Sequence, residues 1–522
     1  MLFFYFIGFI LLVSSIVCLS NSGIVFFNGI LLSGVSWEHT LLLDTVTVFI
    51  LLMLSVCYGY AFFYTGHYFS GDVMGVELSK IIFLFVSVMA SLVVTGDFLS
   101  TLVLWEYLGV VSFFLIVFYS NYLSLRSSVV TLVSSRFGDV CLFMLIAVSF
   151  YNLFPPYVNI CLFFLVVMTK SASFPFISWL LEAMRAPTPV SSLVHSSTLV
   201  AAGVWFSMRY DFSSYFEDIS VFLVVLCITI FITGVCCFFF LDLKKIVALS
   251  TCNNVSWCIV YLLLGDVTLS LFQLVSHGVS KCLLFMLVGD VMSGTGGSQA
   301  SNCVYMPRLF GNWGIFGLFS VVLGLSGAPF IGVFFTKHFL LSTFSSSINL
   351  VGYCFILLCV FLSYFYSFRL CSVLISLNNS VASGVLFSFN SGLMVYFWLM
   401  LNFFIANTLD EVSTVTAVPS LMLITFQLVS CLTAYFMYSS TLFSYWSSSL
   451  FGCDNLVESV YSIFGVVKNN VSMFFFRWDN YMLALFNGSG LQFSRTYAFS
   501  SLNFIMLSLF MFLMCCFILY NH

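Results

Sequence analysis

Residues 271–292 read LFQLVSHGVSKCLLFMLVGDVM. At about 1.5 Å per residue, a helix of this length crosses a hydrocarbon layer of about 30 Å. Gln273, His277 and Lys281 recur every fourth residue and share one face of that helix. Two positive groups at this spacing repel, so one of them is neutral or the two share a proton. Ionisable side chains inside a membrane span mark relay or transport sites. The segment therefore predicts a bundle of spanning helices that handles charge.

The rest of the chain agrees with that reading. It is 62% hydrophobic and 7% charged, with a mean hydropathy of +1.14. Apolar cores recur at 2–19, 41–62, 81–94, 101–118, 140–167, 221–240, 350–365 and 504–519. With the Ser- and Gly-interrupted segments added, roughly 14 to 16 spans are expected. Continuous rather than alternating apolar runs exclude a β-barrel and predict an all-α polytopic membrane protein. The first segment has no basic flank and reads as the first helix, not a cleaved leader. The 18 cysteines show no disulfide framework or zinc-site spacing, and most read as small buried hydrophobes. A net charge of −4 leaves no basic surface for nucleic acid. The glycine-rich stretch 294–298 lacks a following Lys-Ser/Thr and reads as a loop, not a phosphate cradle.

Two stretches join a helix breaker to a lysine. Residues 168–179, MTKSASFPFISW, carry Lys170 and Pro175; residues 327–338, GAPFIGVFFTKH, carry Pro329 and Lys337. A proline removes a helical hydrogen bond, and unwound backbone at membrane depth needs protein or water beside it. Paired broken helices point to a repeated transporter architecture. Beyond residue 440 the pattern changes: 451–480 mixes apolar and charged residues and reads as an amphipathic helix lying along the membrane surface. An ordinary loop with its hairpin partner is the other reading. Residues 501–520 read as a C-terminal transmembrane helix.

Six cations inside or beside apolar runs are candidates: Lys170, His195, Lys244, His277, Lys281 and Lys337. The carboxyl candidate is Glu106, in LVLWEYLGVVSFFLIVF. Burial and a facing ammonium act on a carboxyl in opposite senses, so a Glu106–Lys170 contact that opens and closes would load and release a proton. Static pairing and interfacial anchoring are the alternatives for Glu106, and snorkelling to the headgroups for Lys170. Ser191, His195 and Thr198 share one helical face at i, i+4 and i+7, a hydroxyl-lined stripe suited to ordered water; a packing histidine is the plainer reading. No serine has the partners of a hydrolase. Of Lys244 and Lys245, one reads as facing an internal channel and the other the headgroups, and local pairing with Asp242 argues against a functional role for both. Lys337 reads as an exit group, or as an interfacial lysine where a helix ends. Arg136 and Asp139, three apart, read as a local ion pair at a helix start.

Four strings carry a family resemblance: PTPVSSLVHSSTLVAAG (187–203), DLKKIVALST (242–251), HGVSKCLLFM (277–286) and GAPFIGVFFTKH. They resemble the chain 5 family of mitochondrial NADH–ubiquinone oxidoreductase, the distal antiporter-like membrane subunits of respiratory complex I. The resemblance spans most of residues 1–440. It implies N-terminal transmembrane helices over 1–76 and two inverted five-helix antiporter-like repeats over 77–210 and 216–369. Additional transmembrane helices over 389–440, the lateral helix at 451–480 and the final anchor at 501–520 complete the implied organisation. It implies a proton-translocating subunit of the mitochondrial inner membrane, coupled to remote electron transfer, with Glu106, Lys170, His195, His277, Lys281 and Lys337 in the proton relay, to which the reading of the residues adds Lys244. It implies no cofactor in this chain: FMN, iron–sulfur clusters, NADH and ubiquinone belong to the whole complex. The implied partners are other membrane-arm subunits, especially the neighbouring antiporter-like one, and membrane lipids.

Departures from the family pattern are also visible. Gln273 stands where relatives often have histidine, His338 where aspartate is common, and Arg185 where an acid is usual, with Glu182 three residues before it. A sodium/proton antiporter with the same repeat, and a mainly structural clamp of a membrane complex, are the alternative readings.

Overall fold

The apolar run at 41–62 divides in two: residues 41–43 close a β-hairpin, and the helix begins only at Thr45. Strands β1 (Gly23–Leu32) and β2 (Val35–Leu43) pair antiparallel from Gly23 opposite Leu43 to Leu32 opposite Val35. This hairpin corrects the all-helical expectation at one place. Its Val, Ile and Phe content favours strand, and its backbone is tied to a later segment: the Gly96 amide donates to the Thr40 carbonyl at 2.8 Å. The computed structural model describes residues 23–32, 35–151, 156–210, 220–305, 311–329, 331–347, 350–375, 377, 392–407, 417–438, 453–486 and 506–511. The expected first helix at 2–19 and most of the final anchor at 501–520 lie outside the described residues.

Elsewhere the described chain is helical. In order come α1 (Thr45–Tyr68), α2 (Met74–Val94), α3 (Phe98–Val117), α4 (Tyr122–Tyr151), α5 (Pro156–Lys170), α6 (Ile177–Ala183), α7 (Thr188–Leu193), a π-helical turn (Val194–Thr198) and α8 (Leu199–Arg209). They are followed by α9 (Ser220–Phe239), α10 (Leu243–Leu263), α11 (Val267–Ser293), α12 (Gly311–Ser326), α13 (Val333–Ser347), α14 (Leu350–Ile375), α15 (Gly392–Asn407), α16 (Ala417–Tyr438) and α17 (Cys453–Phe486). Among the described residues, ten helical segments are long and apolar enough to cross a membrane, and two shorter apolar helices cover 157–170 and 314–326. The chain divides into two compact units, Met1–Cys453 and Asp454–His522. In the second, α17 is one unbroken helix of 34 residues that extends past the expected 451–480.

Burial identifies the centre of the first unit. The apolar windows of Thr188–Arg209, α10 and α11 are each 94% buried, against 33% for α2 and α4. His195, Lys244, His277 and Lys281 all lie on these three central segments. Parallel packing of α1 on α11 is readable from their contacts. A Cβ at Gly278 would meet Met53, the Cys282 thiol donates to the Cys57 carbonyl, and a Cβ at Gly289 would stand 2.5 Å from the Tyr64 hydroxyl. Glycine at 278 and 289 is what allows this approach.

Both expected breaks are present, with an asymmetry. The first follows Lys170, with Ala172 at φ 56°, and the helix resumes at Ile177. The second follows Ser326, with Gly327 at φ 92° and Gly332 at φ 52°, and Lys337 lies in the early part of α13. Lys337 therefore does not end a helix. The two positive-φ glycines finish the turn before it, so a new helix starts four residues upstream of the lysine.

The first break is buttressed by α8. A Cβ at Gly203 would lie 3.0 Å from both the Val167 carbonyl oxygen and the Ser171 amide nitrogen, which are backbone atoms with no rotamer to yield. Gly203→Val is expected to destabilise the protein by about 1–3 kcal/mol through overpacking. A lowered melting temperature of the assembled protein checks this; an unchanged one would show that the break can move aside.

Candidate functional site

A charged row starts on α3 and α4. The Asp97 carboxylate caps α3 by accepting from the Ser100 amide at 3.0 Å, fixing where the helix begins. Two turns on, Glu106 is ion-paired with Arg136 of α4. Arg136 also lies 3.5 Å from Asp139, whose other oxygen is 3.9 Å from the Lys170 ammonium. The Asp139 and Lys170 side chains are 4% and 1% exposed. Glu106 and Lys170 are thus linked through Arg136 and Asp139, in place of the direct contact expected from the sequence. The Lys170 ammonium also stands over the Trp105 ring, 5.0 Å from its centroid.

Arg136 and Asp139 lie in the middle of α4 rather than at the helix start that their spacing suggests. The serine-rich stretch before them resembles a polar joint, yet Ser124, Ser127, Ser128, Thr131, Ser134 and Ser135 each donate to a carbonyl three residues back. That internal bonding lets a hydroxyl-rich helix run on through the membrane.

A cavity of about 10 Å³ separates Lys170 from His195. Ser112, Thr131, Ser135 and Thr169 line it together with those two residues. Its size is close to what one water needs, and its lining supplies polar partners. His195 sits in the π-helical turn, where the Leu199 amide donates back five residues to the Val194 carbonyl and the Thr198 hydroxyl donates to the Leu193 carbonyl at 2.9 Å. The extra residue in that turn rotates the rest of the helix by about 100°, so the i, i+4, i+7 alignment of Ser191, His195 and Thr198 does not hold. The hydroxyl face remains on the side before His195, with Thr188, Ser191 and Ser192 all buried. Neither ring nitrogen of His195 has a hydrogen-bond partner among the described residues.

Lys244 and Lys245 divide as the sequence suggests. Lys245 pairs with Asp242 at 3.6 Å, while Lys244 is buried and donates to the Ala186 carbonyl at 3.2 Å. That carbonyl lies in the gap between α6 and α7, and the Lys244 charge is near enough to His195 to act on it.

On α11, His277 is fully buried and neither ring nitrogen is bonded among the described residues. The Lys281 ammonium donates to the Ser250 hydroxyl of α10 and, at 3.4 Å, to the Val247 carbonyl. Gln273 accepts from Thr336 at 2.9 Å and so ties the α11 stripe to α13 beside Lys337. The Lys337 ammonium donates to the Ser326 carbonyl and the Ser363 hydroxyl, both at 2.6 Å, and faces the Tyr364 ring at 4.0 Å. The Ser326 carbonyl is freed where α12 ends, so the break itself supplies an acceptor for the lysine. His338 is buried next to it and stacks loosely on Phe334 at 6.4 Å. Glu182 and Arg185 pair with each other at 3.3 Å, half-exposed. Among the described residues, no group of three His, Cys, Asp or Glu is placed to hold a metal ion.

These contacts form internal networks of buried charges and hydroxyls on an antiporter-like, multi-pass membrane scaffold. A family described as NADH:quinone oxidoreductase/Mrp antiporter, transmembrane, matches residues 95–366. The chain belongs to that family. It is 31% identical over 498 residues to NADH-ubiquinone oxidoreductase chain 5 of Ascaris suum, covering 89% of this chain and 86% of that one. It is 32% identical over 333 residues to the chain 5 of Artemia franciscana, where the match spans 60% of each. Its fold is similar to a chain of the Mrp complex from Dietzia sp. DQ12-45-1b, with a TM-score of 0.69 at 20% identity over 88% of this chain and 56% of that one.

Proposed function

We propose that this chain is a proton-translocating membrane subunit of an NADH:ubiquinone oxidoreductase. The observation that carries the reading is the row of charges itself: the partly exposed pair Glu106 and Arg136 leads to buried Asp139 and Lys170 on one side, with buried His195, Lys244, His277 and Lys281 at the centre and buried Lys337 beyond. Charges in a membrane interior are costly and are retained where they move or balance ions. The names of the chain 5 relatives support the assignment to such a complex.

Two arginine contacts support a two-repeat organisation. Arg209, ending α8, donates to the Val93 carbonyl near the end of α2 at 3.0 Å. Arg369 on α14 donates to the Phe240 carbonyl just past α9 at 3.0 Å. In each proposed repeat, the last helix thus closes on the C-terminal end of the first. A broken helix with its lysine follows the third helix in both, with Lys170 just before the break and Lys337 just after it.

The proposed cycle runs along the contacts. Electron transfer in other subunits perturbs the row, and the Asp139–Lys170 pair opens or closes in response. Lys170 exchanges a proton through the small hydroxyl-lined cavity with His195. His277 and Lys281 pass charge toward Lys337, and Gln273 with Thr336 holds the polar path between them without carrying charge. FMN and iron–sulfur clusters, with NADH and ubiquinone, act in the rest of the complex, and the location is the mitochondrial inner membrane. The 34-residue α17, about 51 Å long, exceeds the bilayer's hydrocarbon thickness and carries five charged residues, which suits a brace along neighbouring membrane-arm subunits.

Lys244 and Lys245 provide a test within adjacent residues. Lys245→Ala removes an exposed pair and is expected to change stability by less than about 0.5 kcal/mol and proton ejection not at all. Lys244→Met is expected to lower NADH-driven proton ejection from membrane vesicles while assembly persists. Equal behaviour of the two variants would contradict an interior role for Lys244.

A sodium/proton antiporter is the second reading, favoured by the family's Mrp members and the Mrp-like fold. Native separation of the source membranes with NADH activity staining distinguishes the two. Co-migration with a megadalton NADH-oxidising assembly is the expected result. A small particle with sodium-dependent proton exchange would overturn it.

A further inference from the structure

A second polar cluster lies at the membrane face where α1 and α11 end. Because α1 and α11 run parallel, their C-terminal turns meet, and His67 Nε2 lies 3.4 Å from Asp290 Oδ1. The Asp290 side chain is 1% exposed and that of His67 is 21% exposed, so the pair has one member inside and one at the surface. Tyr64, fully buried, sits one turn before His67, and its hydroxyl and Thr188 at the start of α7 both stand against Gly289. A Cβ at Gly289 would stand 3.2 Å from Thr188 Cβ, so α7 starts against the Asp290 turn.

From there α7 runs antiparallel to α11. Thr188 lies beside Gly289, Ser192 beside the Cys282 thiol, and Ser197 beside Gly278. Thr188, Ser191 or Ser192, and His195 succeed one another along α7 and into the π turn, a rise of about 10 Å. A series of buried hydroxyls therefore leads from the surface pair to the central histidine.

We propose that His67 and Asp290, with Tyr64 and Thr188, form a proton port through which His195 exchanges protons with solution at the face where α1 and α11 end. The inference rests on the proton-translocating function proposed for the chain and adds an opening to it. His67 takes or gives a proton at the surface and Asp290 carries it inward. Tyr64 and Thr188 hand it to the hydroxyl face of α7, each step passing one proton between oxygen or nitrogen atoms.

The test uses the assembled complex in membrane vesicles, with NADH oxidation and proton ejection measured together. Asp290→Asn keeps the shape of the side chain and removes its charge; His67→Gln does the same for the imidazole. Each is expected to slow proton ejection roughly tenfold or more, as the loss of a positioned proton carrier does, with protons per NADH falling in fully assembled complex. Asp290→Glu is expected to restore ejection, and added imidazole to restore it in His67→Gly, recoveries that a purely structural pair would not give. Normal protons per NADH in assembled Asp290→Asn or His67→Gln would overturn the port. If Asp290→Asn does not assemble, the two His67 variants decide the matter. Lys281→Met run in parallel separates the two proposals: lowered ejection there with normal ejection in the port variants refutes the port alone. Normal ejection in Lys281→Met refutes the relay on which it rests.

Discussion

Lys281→Met should cut NADH-driven proton ejection roughly tenfold or more while the protein still folds and assembles. The expectation comes from where Lys281 sits. Its side chain is among the largest fully buried ones, on one of the three most enclosed segments, and its ammonium contacts the Ser250 hydroxyl and the Val247 carbonyl. Among the described residues no acid is ion-paired with it, so replacing it with an apolar chain of similar length leaves no carboxylate stranded. A buried charge exchanged for a well-packed apolar residue is often neutral or stabilising. Function and stability should therefore separate at this position. Quantifying the complex by native electrophoresis and dividing ejected protons by oxidised NADH measures both. Parallel loss of assembly and pumping would mean that Lys281 holds the fold.

Asp139 should behave in the opposite way. It is shared by Lys170 and Arg136, and Asp139→Asn leaves the Lys170 ammonium buried without a countercharge. Removing one partner of a buried pair costs about 3–5 kcal/mol. The variant should lose both stability and pumping. Adding Lys170→Met removes the stranded charge, so the double variant should regain most of that stability and none of the pumping. A thermal melt of each assembled variant, set in a double-mutant cycle, gives the coupling. Additive losses in stability would show that Asp139 and Lys170 do not act on one another.

The sequence conveys the membrane bundle, both helix breaks and the enclosed cations because these depend on local properties. Hydropathy, proline and glycine positions, and the four-residue spacing of Gln273, His277 and Lys281 are all visible within one segment. What it conceals depends on three-dimensional neighbours. Asp139 looks like Arg136's local partner because Lys170 is thirty-one residues away and meets it only when α5 packs on α4. The π turn at His195 changes a face that regular α spacing defines. Lys337 looks like a helix end because its Thr- and Ser-rich surroundings resemble one, whereas glycines at positive φ upstream make it part of a new helix. The β-hairpin is hard to read because its apolar strands look like pieces of membrane span. Asp290 sits within an apolar run, and its pairing with His67 depends on the parallel register of α1 and α11.

The most direct test of the central claim is to neutralise Lys170, His277 and Lys281 together and measure protons ejected per NADH oxidised in assembled complex. A ratio well below that of the unaltered complex is expected, because the row would then lack Lys170 and two of its four central basic groups. An unchanged ratio would contradict proton movement through this chain and leave its buried charges a structural role.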